Sequence, residues 1–316
     1  MKKLAVFLIL TVLSVVAAVA GAEMALRWIG LGEPVAYYTN LTYRFAPVPN
    51  QKVVRFDGNT ITINDRGLRA TRDWEAPADI RILFIGDSVT WGTSSVTDSD
   101  TFSEIACARI GPALGLRVTC GNAGVNAYGT DNMAARIRYK EFDNEDWLVV
   151  VVLSGDAIRS LQNIAAGHYH MANPTGPLRA TWEAANYWFH RFSVALRGTN
   201  DREPPQRALS IARASVRNLV AAVREKREQG KRVLLVLTIG KEEIGGDEFT
   251  FTPVVRDALA QSGLPFLDMA PVLAPHDPDR IYLDNSHLTP AGNRVFADAI
   301  AARIVAVERA RRGGEH

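Results

Sequence analysis

Hydrophobic positions along the chain follow three different patterns. From Leu4 to Ala22 the sequence reads LAVFLILTVLSVVAAVAGA, a run of small and apolar residues without amphipathic spacing. It reaches the lower edge of the ~17–25 residues that cross a bilayer as a helix. Lys2 and Lys3 precede it and favour a cytoplasmic N-terminus, which places the remainder on the periplasmic or extracellular side. Ala18-Val19-Ala20 has the small-residue spacing of a cleavage site, so a removed signal peptide and a secreted product form the alternative. The run exceeds a usual signal core, and Met24, Leu26, Trp28 and Ile29 prolong it, so an uncleaved anchor over residues 1–30 in the inner membrane is favoured.

The second pattern covers 31–78, a polar stretch broken by Pro and Gly. Within it KVVRFDGNTITIND alternates apolar and polar residues around Asp57-Gly58, which predicts a hairpin and a small β extension. The third pattern, over 79–312, alternates short β-branched runs with helical stripes. Strands are expected at 81–85, at 116–119, in DWLVVVVLSG, in KRVLLVLTI and in LPFLDM. The third is the most apolar and is placed centrally, because strands covered on both faces lose alternation. Helices are expected at 101–110, 130–142, 205–229 and 251–261, with a last one capped by Thr289 and opened by Pro290. Repeated strand-helix units argue an α/β fold, a three-layer α/β/α sandwich on a five-stranded parallel sheet. An insertion at about 157–203 carries Tyr169, Trp182, Tyr187, Trp188 and Phe189. It reads either as a substrate-facing lid or as aromatics packing the insertion onto the body.

Composition narrows the function. The net charge of +2 gives no reason to expect a nucleic-acid partner, and the basic end around Arg309, Arg311 and Arg312 reads as a solvated helix terminus. Cys107 and Cys120, the two cysteines, lie near the ends of a predicted helix and the following strand. A disulfide in an oxidising compartment and two buried thiols both fit. No Cys/His spacing suggests a metal site.

In open parallel sheets, sites gather at the carboxyl ends of strands. Ser88 follows the first strand in FIGDSVTWG, Gly124 and Asn126 follow the second in GNAGVNAYG, and Ser154-Gly155-Asp156 follow the third. Asp284 and His287, three residues apart in YLDNSHLTPAG, precede the last helix. A serine needs a base within hydrogen-bond reach, and the base gains from a carboxylate that fixes its tautomer. An isolated Asp-x-x-His is more often a turn cap beside a surface histidine. A phosphate loop in GNAGVNAYG fits poorly, since its glycine spacing matches neither G-x-G-x-x-G nor the P-loop.

GDSVTWG and DNSHLTPAGN, in this order on this framework, resemble the SGNH/GDSL hydrolase family, and the upstream INDRGLRA resembles the lead-in of its exported, N-terminally anchored bacterial members. The resemblance runs from about Tyr43 onward. It implies a flavodoxin-like SGNH fold with Ser88 as nucleophile, His287 as general base and Asp284 as its partner. It also implies oxyanion donors at the Ser88 and Gly124 N–H groups, a structural Asp87, and no metal or organic cofactor. One block departs: aligning Asp156 with the family's third-block aspartate puts Gly155 where an asparagine side chain would be the third donor. Ser154 or Asn126 substitutes, two backbone donors suffice, or catalysis is weak or absent. The resemblance implies a serine esterase acting through an acyl-enzyme on an ester-bearing small molecule or glycan, such as O-acetyl groups of envelope glycans. Acyl transfer at the same site and a non-catalytic glycan-binding protein are the alternatives.

Overall fold

The computed structural model describes residues 2–139, 142–159, 173–197, 205–246 and 248–313. The apolar N-terminal run forms α1, Lys2–Trp28, whose 27 residues span about 40 Å at 1.5 Å per residue. Its mean hydropathy of 2.7 over an 18-residue window makes it long and apolar enough to cross a membrane. Two antiparallel hairpins follow. They pair β1 (Tyr37–Asn40) with β2 (Arg44–Pro47), and β3 (Gln51–Arg55) with β4 (Asn59–Ile63). The β3–β4 loop holds Asp57 and Gly58 at φ of 56° and 78°, the left-handed values that a tight reversal requires.

The remainder is built on β5 (Ile80–Ile85), α2 (Ser88–Trp91), α3 (Phe102–Leu114), β6 (Val118–Asn122), α4 (Thr130–Arg138) and β7 (Trp147–Leu153). Then come α5 (Arg179–Arg197), α6 (Pro205–Glu228), β8 (Arg232–Thr238), α7 (Thr252–Ala260) and β9 (Phe266–Asp268). Two short helices, α8 (Ala270–Leu273) and α9 (Pro278–Ile281), lead to α10 (Pro290–Gly313). The five core strands run parallel in the order β6-β5-β7-β8-β9, the 2-1-3-4-5 order of flavodoxin-like sheets.

Strand side chains alternate between two cores, which is why both faces need helices. Leu83, Ile85, Leu148, Val150, Val152 and Leu235 belong to one core, shared with α4, α6 and α7. Ile82, Phe84, Val149, Val151 and Val236 belong to the other, shared with α3 and α10. The hairpins join the first core through Tyr43, Phe45, Ile61 and Ile63. The predicted helix over 130–142 is shorter here and ends at Arg138. Cys107 and Cys120 are paired as a disulfide with Cα atoms 5.8 Å apart, which links α3 to β6. The described part of the aromatic insertion is dominated by α5, and Tyr169 lies outside the described residues.

Candidate active site

The first core strand ends in a forced turn. A Cβ on Gly86 would collide with Thr90 Oγ1 and the Val151 carbonyl, so only glycine fits between β5 and β7. Asp87 then caps the single turn of α2, its Oδ1 accepting from the Val89 N–H at 2.8 Å. Gly92, at φ 89°, closes the turn through its N–H to the Ser88 carbonyl. Ser88 is thereby the first residue of a helix at the carboxyl end of the sheet, with its N–H free of the helical ladder.

Asp284 organises the opposite loop. Its Oδ1 accepts from the backbone N–H groups of Ser286 and His287 at 2.9 and 2.8 Å, so the carboxylate folds its own turn. The other oxygen, Oδ2, lies 2.7 Å from His287 Nδ1. Burial alone would raise the Asp284 carboxyl. The bonds from the His287 ring and from the two backbone N–H groups outweigh it and hold the pKa below the ordinary value. A carboxylate at Nδ1 keeps the proton there and leaves Nε2 as an acceptor. That Nε2 lies 2.9 Å from Ser88 Oγ. Two segments 199 residues apart thus meet as serine, imidazole and carboxylate in one hydrogen-bonded line.

The oxyanion side is less complete. The Gly124 N–H was expected to face an oxyanion. It donates instead to Asn122 Oδ1 at 2.9 Å, within a buried segment. Gly124 is needed for another reason, since a Cβ there would strike the backbone of Thr90 and Trp91. The half-buried apex of that loop is Asn126-Ala127, and Ala127 is held at φ 63°, a conformation L residues avoid. Among the described residues, the N–H groups of Ser88, Asn126 and Ala127 have no acceptor. Gly155 sits just beyond β7 in a 3-10 turn, Ser154–Ile158, and no described atom lies within 4 Å of a Cβ built on it. Ser154, a possible substitute donor, is buried with its Oγ unpartnered among the described residues.

Beneath the serine lies a charged group that the motifs did not reveal. Arg159 Nη1 reaches Asp87 Oδ2 at 3.1 Å, Asp156 Oδ1 at 2.6 Å and the Tyr128 carbonyl at 3.1 Å. Burial pushes the Asp156 carboxyl well above its ordinary value. The charge of Asp87 pushes it further, and Arg159 with the Leu153 N–H only partly offsets this. Arg69, from the RGLRA segment, clamps the far end of the serine loop. Its guanidinium binds the carbonyls of Trp91 and Thr93 at 2.8 Å each and Val96 at 2.5 Å, and Asp98 Oδ1 at 3.0 Å.

No family model matches the chain, and no curated protein matches it. Solved structures similar to it include a lipase/acylhydrolase from Enterococcus faecalis, at 17% identity and TM-score 0.46, covering 72% of this chain and 96% of that one. A member of the lipolytic protein G-D-S-L family from Veillonella parvula has 15% identity and TM-score 0.44, with 70% and 95% coverage. A lipase from a goat rumen metagenome has 10% identity and TM-score 0.47, with 71% and 96% coverage. Likeness this distant says nothing of the chemistry at Ser88.

Proposed function

We propose that this chain is a serine ester hydrolase of the SGNH/GDSL type. The observation that carries the reading is His287 Nε2 at 2.9 Å from Ser88 Oγ while Nδ1 sits 2.7 Å from Asp284. Ser88 Oγ attacks the ester carbonyl as His287 takes its proton. Asp284 stays ionised and stabilises the imidazolium. The oxyanion forms against the Ser88 N–H and the half-buried apex Asn126-Ala127, which takes the donor role first expected of Gly124. His287 then protonates the leaving alcohol. Water, activated by the same imidazole, attacks the acyl-enzyme and regenerates Ser88 Oγ–H. A second alcohol in place of water turns the same intermediate to acyl transfer.

The cellular setting is part of the proposal. The apolar α1, the two lysines that open it and the Cys107–Cys120 pair favour a membrane-anchored domain on the far side of the inner membrane. There the substrate class is an ester on envelope material, O-acetylated glycans among them. A second reading, a protein that binds such esters without cleaving them, draws on Gly155 and on the engaged Gly124 N–H. A fluorophosphonate probe separates the two. The hydrolase labels as wild type and not as Ser88→Ala, and folded wild type that fails to label overturns the enzymatic reading.

A further inference from the structure

Helix α5 is amphipathic the wrong way round for a soluble surface. Trp182, Ala185, Trp188, Phe189 and Phe192 share one face at helical spacing, and that face points outward. Trp188 is 69% exposed, Phe189 72% and Phe192 62%. A polar residue, Glu183, is turned inward, where it pairs with Arg55 and accepts from the Gly32 N–H at 2.6 Å.

The helix is not free to turn its aromatics away. Glu23, in the last turns of α1, is buried and caps its N-terminus, accepting from the N–H groups of Ala180 and Thr181 at 3.1 and 2.8 Å and from Thr181 Oγ1 at 2.8 Å. Arg27 braces the joint, 2.7 Å from Glu23 and 2.8 Å from the Pro177 carbonyl. Where α1 leaves a bilayer, α5 is therefore held beside the exit. Trp28, 91% exposed, ends α1 five residues beyond Glu23. Aromatic rings at the end of a span belong in the headgroup layer, where an apolar body and a polar edge are both satisfied.

Between these two helices opens a cavity of about 460 Å³. Leu26, Ile29 and Leu31 line it on the α1 side and Tyr187 on the α5 side. Trp91 of the serine's own turn and Asn126 of the adjacent loop stand on its wall as well.

We propose that α5 lies in the headgroup layer of the membrane that α1 crosses, and that the cavity receives the apolar chain of a lipid-borne ester whose carbonyl passes Trp91 and Asn126 to Ser88. The substrate half rests on the esterase reading above; the membrane half does not. A lipid surface is the occupant of the aromatic face because that face is fixed at the exit of the apolar span and is continuous with it.

Two measurements on the full chain, reconstituted in phosphatidylcholine vesicles, test this. Vesicles with brominated acyl chains should quench tryptophan emission, and the quenched fraction should fall in Trp188→Phe and Trp182→Phe. Emission from those two residues that bromine leaves untouched, or a cross-linked dimer through this face, overturns the membrane contact. In Phe189→Ser with Phe192→Ser, kcat/KM for a long-chain ester dispersed in the vesicles should fall tenfold or more, while a water-soluble acetyl ester is hydrolysed as before. Equal loss on both esters marks a merely structural helix, and no loss on either marks an irrelevant one. Either result overturns the substrate half. If wild type cleaves neither ester, the esterase reading and the substrate half fail together, and the quenching still decides the membrane half.

Discussion

On the relay side of the site, Asp284, His287 and Ser88 already stand in the hydrogen bonds a proton transfer uses, at 2.7 and 2.9 Å. On the oxyanion side, one expected donor is bonded to Asn122 and another position, Gly155, has no side chain. The relay is held by short turns whose bonds lie within three residues of each other, apart from the single meeting of His287 with Ser88. The oxyanion side is assembled from loops after three different strands, so packing rather than local chemistry sets what faces the substrate. Under the proposed mechanism, the contacts for proton transfer are thus in place while not all of the oxyanion donors are.

The sharpest way to break this contrast is on the relay. Asp284→Asn removes the acceptor that fixes the His287 tautomer. A drop in kcat of about 10²–10⁴ is expected, with the lower part of that range favoured because this carboxylate is more than half exposed. A KM close to wild type would mark the loss as one of proton transfer. An unchanged kcat would remove Asp284 from the mechanism.

Gly155→Asn probes the other side. A Cβ at this position meets no described atom within 4 Å apart from its chain neighbours, and its backbone is not in the left-handed region. One oxyanion donor is worth ~10²–10³ in rate, so a rise in kcat of about tenfold is expected from a donor that is not fully preorganised. A fall would mean that the empty volume serves the substrate. Replacing both cysteines by serine loosens the strand that leads into Asn122. For a loop of 13 residues the cost is about 3 kcal/mol, read as a lower urea midpoint. The relay, built elsewhere, should keep its fluorophosphonate labelling below that midpoint.

The smallest effect concerns pH. The raised Asp156 carboxyl keeps its proton longer in the folded chain than in the unfolded one. The folded state therefore binds more protons above the ordinary carboxylate range, and this group's contribution to stability falls as pH rises from about 4 toward its raised pKa. Asp156→Asn should flatten that decline in urea midpoints between pH 5 and 8. An unaltered slope would place the titration on another group.

Ser88, Asp284 and His287 were singled out by the resemblance of GDSVTWG and DNSHLTPAGN to SGNH/GDSL blocks, and the turns that hold them are local: Gly86 and Gly92 around the serine, and an Asp whose carboxylate binds N–H groups two and three residues on. The sheet was readable from the residues themselves, since buried parallel strands lose their polar alternation. Arg69, Arg159 and Glu23 were not. Their distant partners lie 29, 72 and 157 residues away, and local pairs such as Arg159 with Asp156 or Glu23 with Arg27 do not announce a distant carboxylate or an uncapped helix. Gly124 stood out as an oxyanion donor, but its N–H is bonded to Asn122, and what requires glycine there is the approach of the Thr90 and Trp91 backbone, a contact that no local pattern encodes.

The cap that Glu23 places on Ala180 and Thr181 also sets an order of events during synthesis. The carboxylate is made 157 residues before the amide it binds. At ~5–20 residues per second, about 10–30 s pass before that amide is made, with Arg27 the partner at hand meanwhile. If α1 inserts as proposed, the Glu23–Arg27 pair marks over that interval where the apolar stretch ends, since drawing it further in would bury two charges. Under that proposal, insertion depth is set before the helix that Glu23 caps has been made, and folding of the later chain fixes a position already taken.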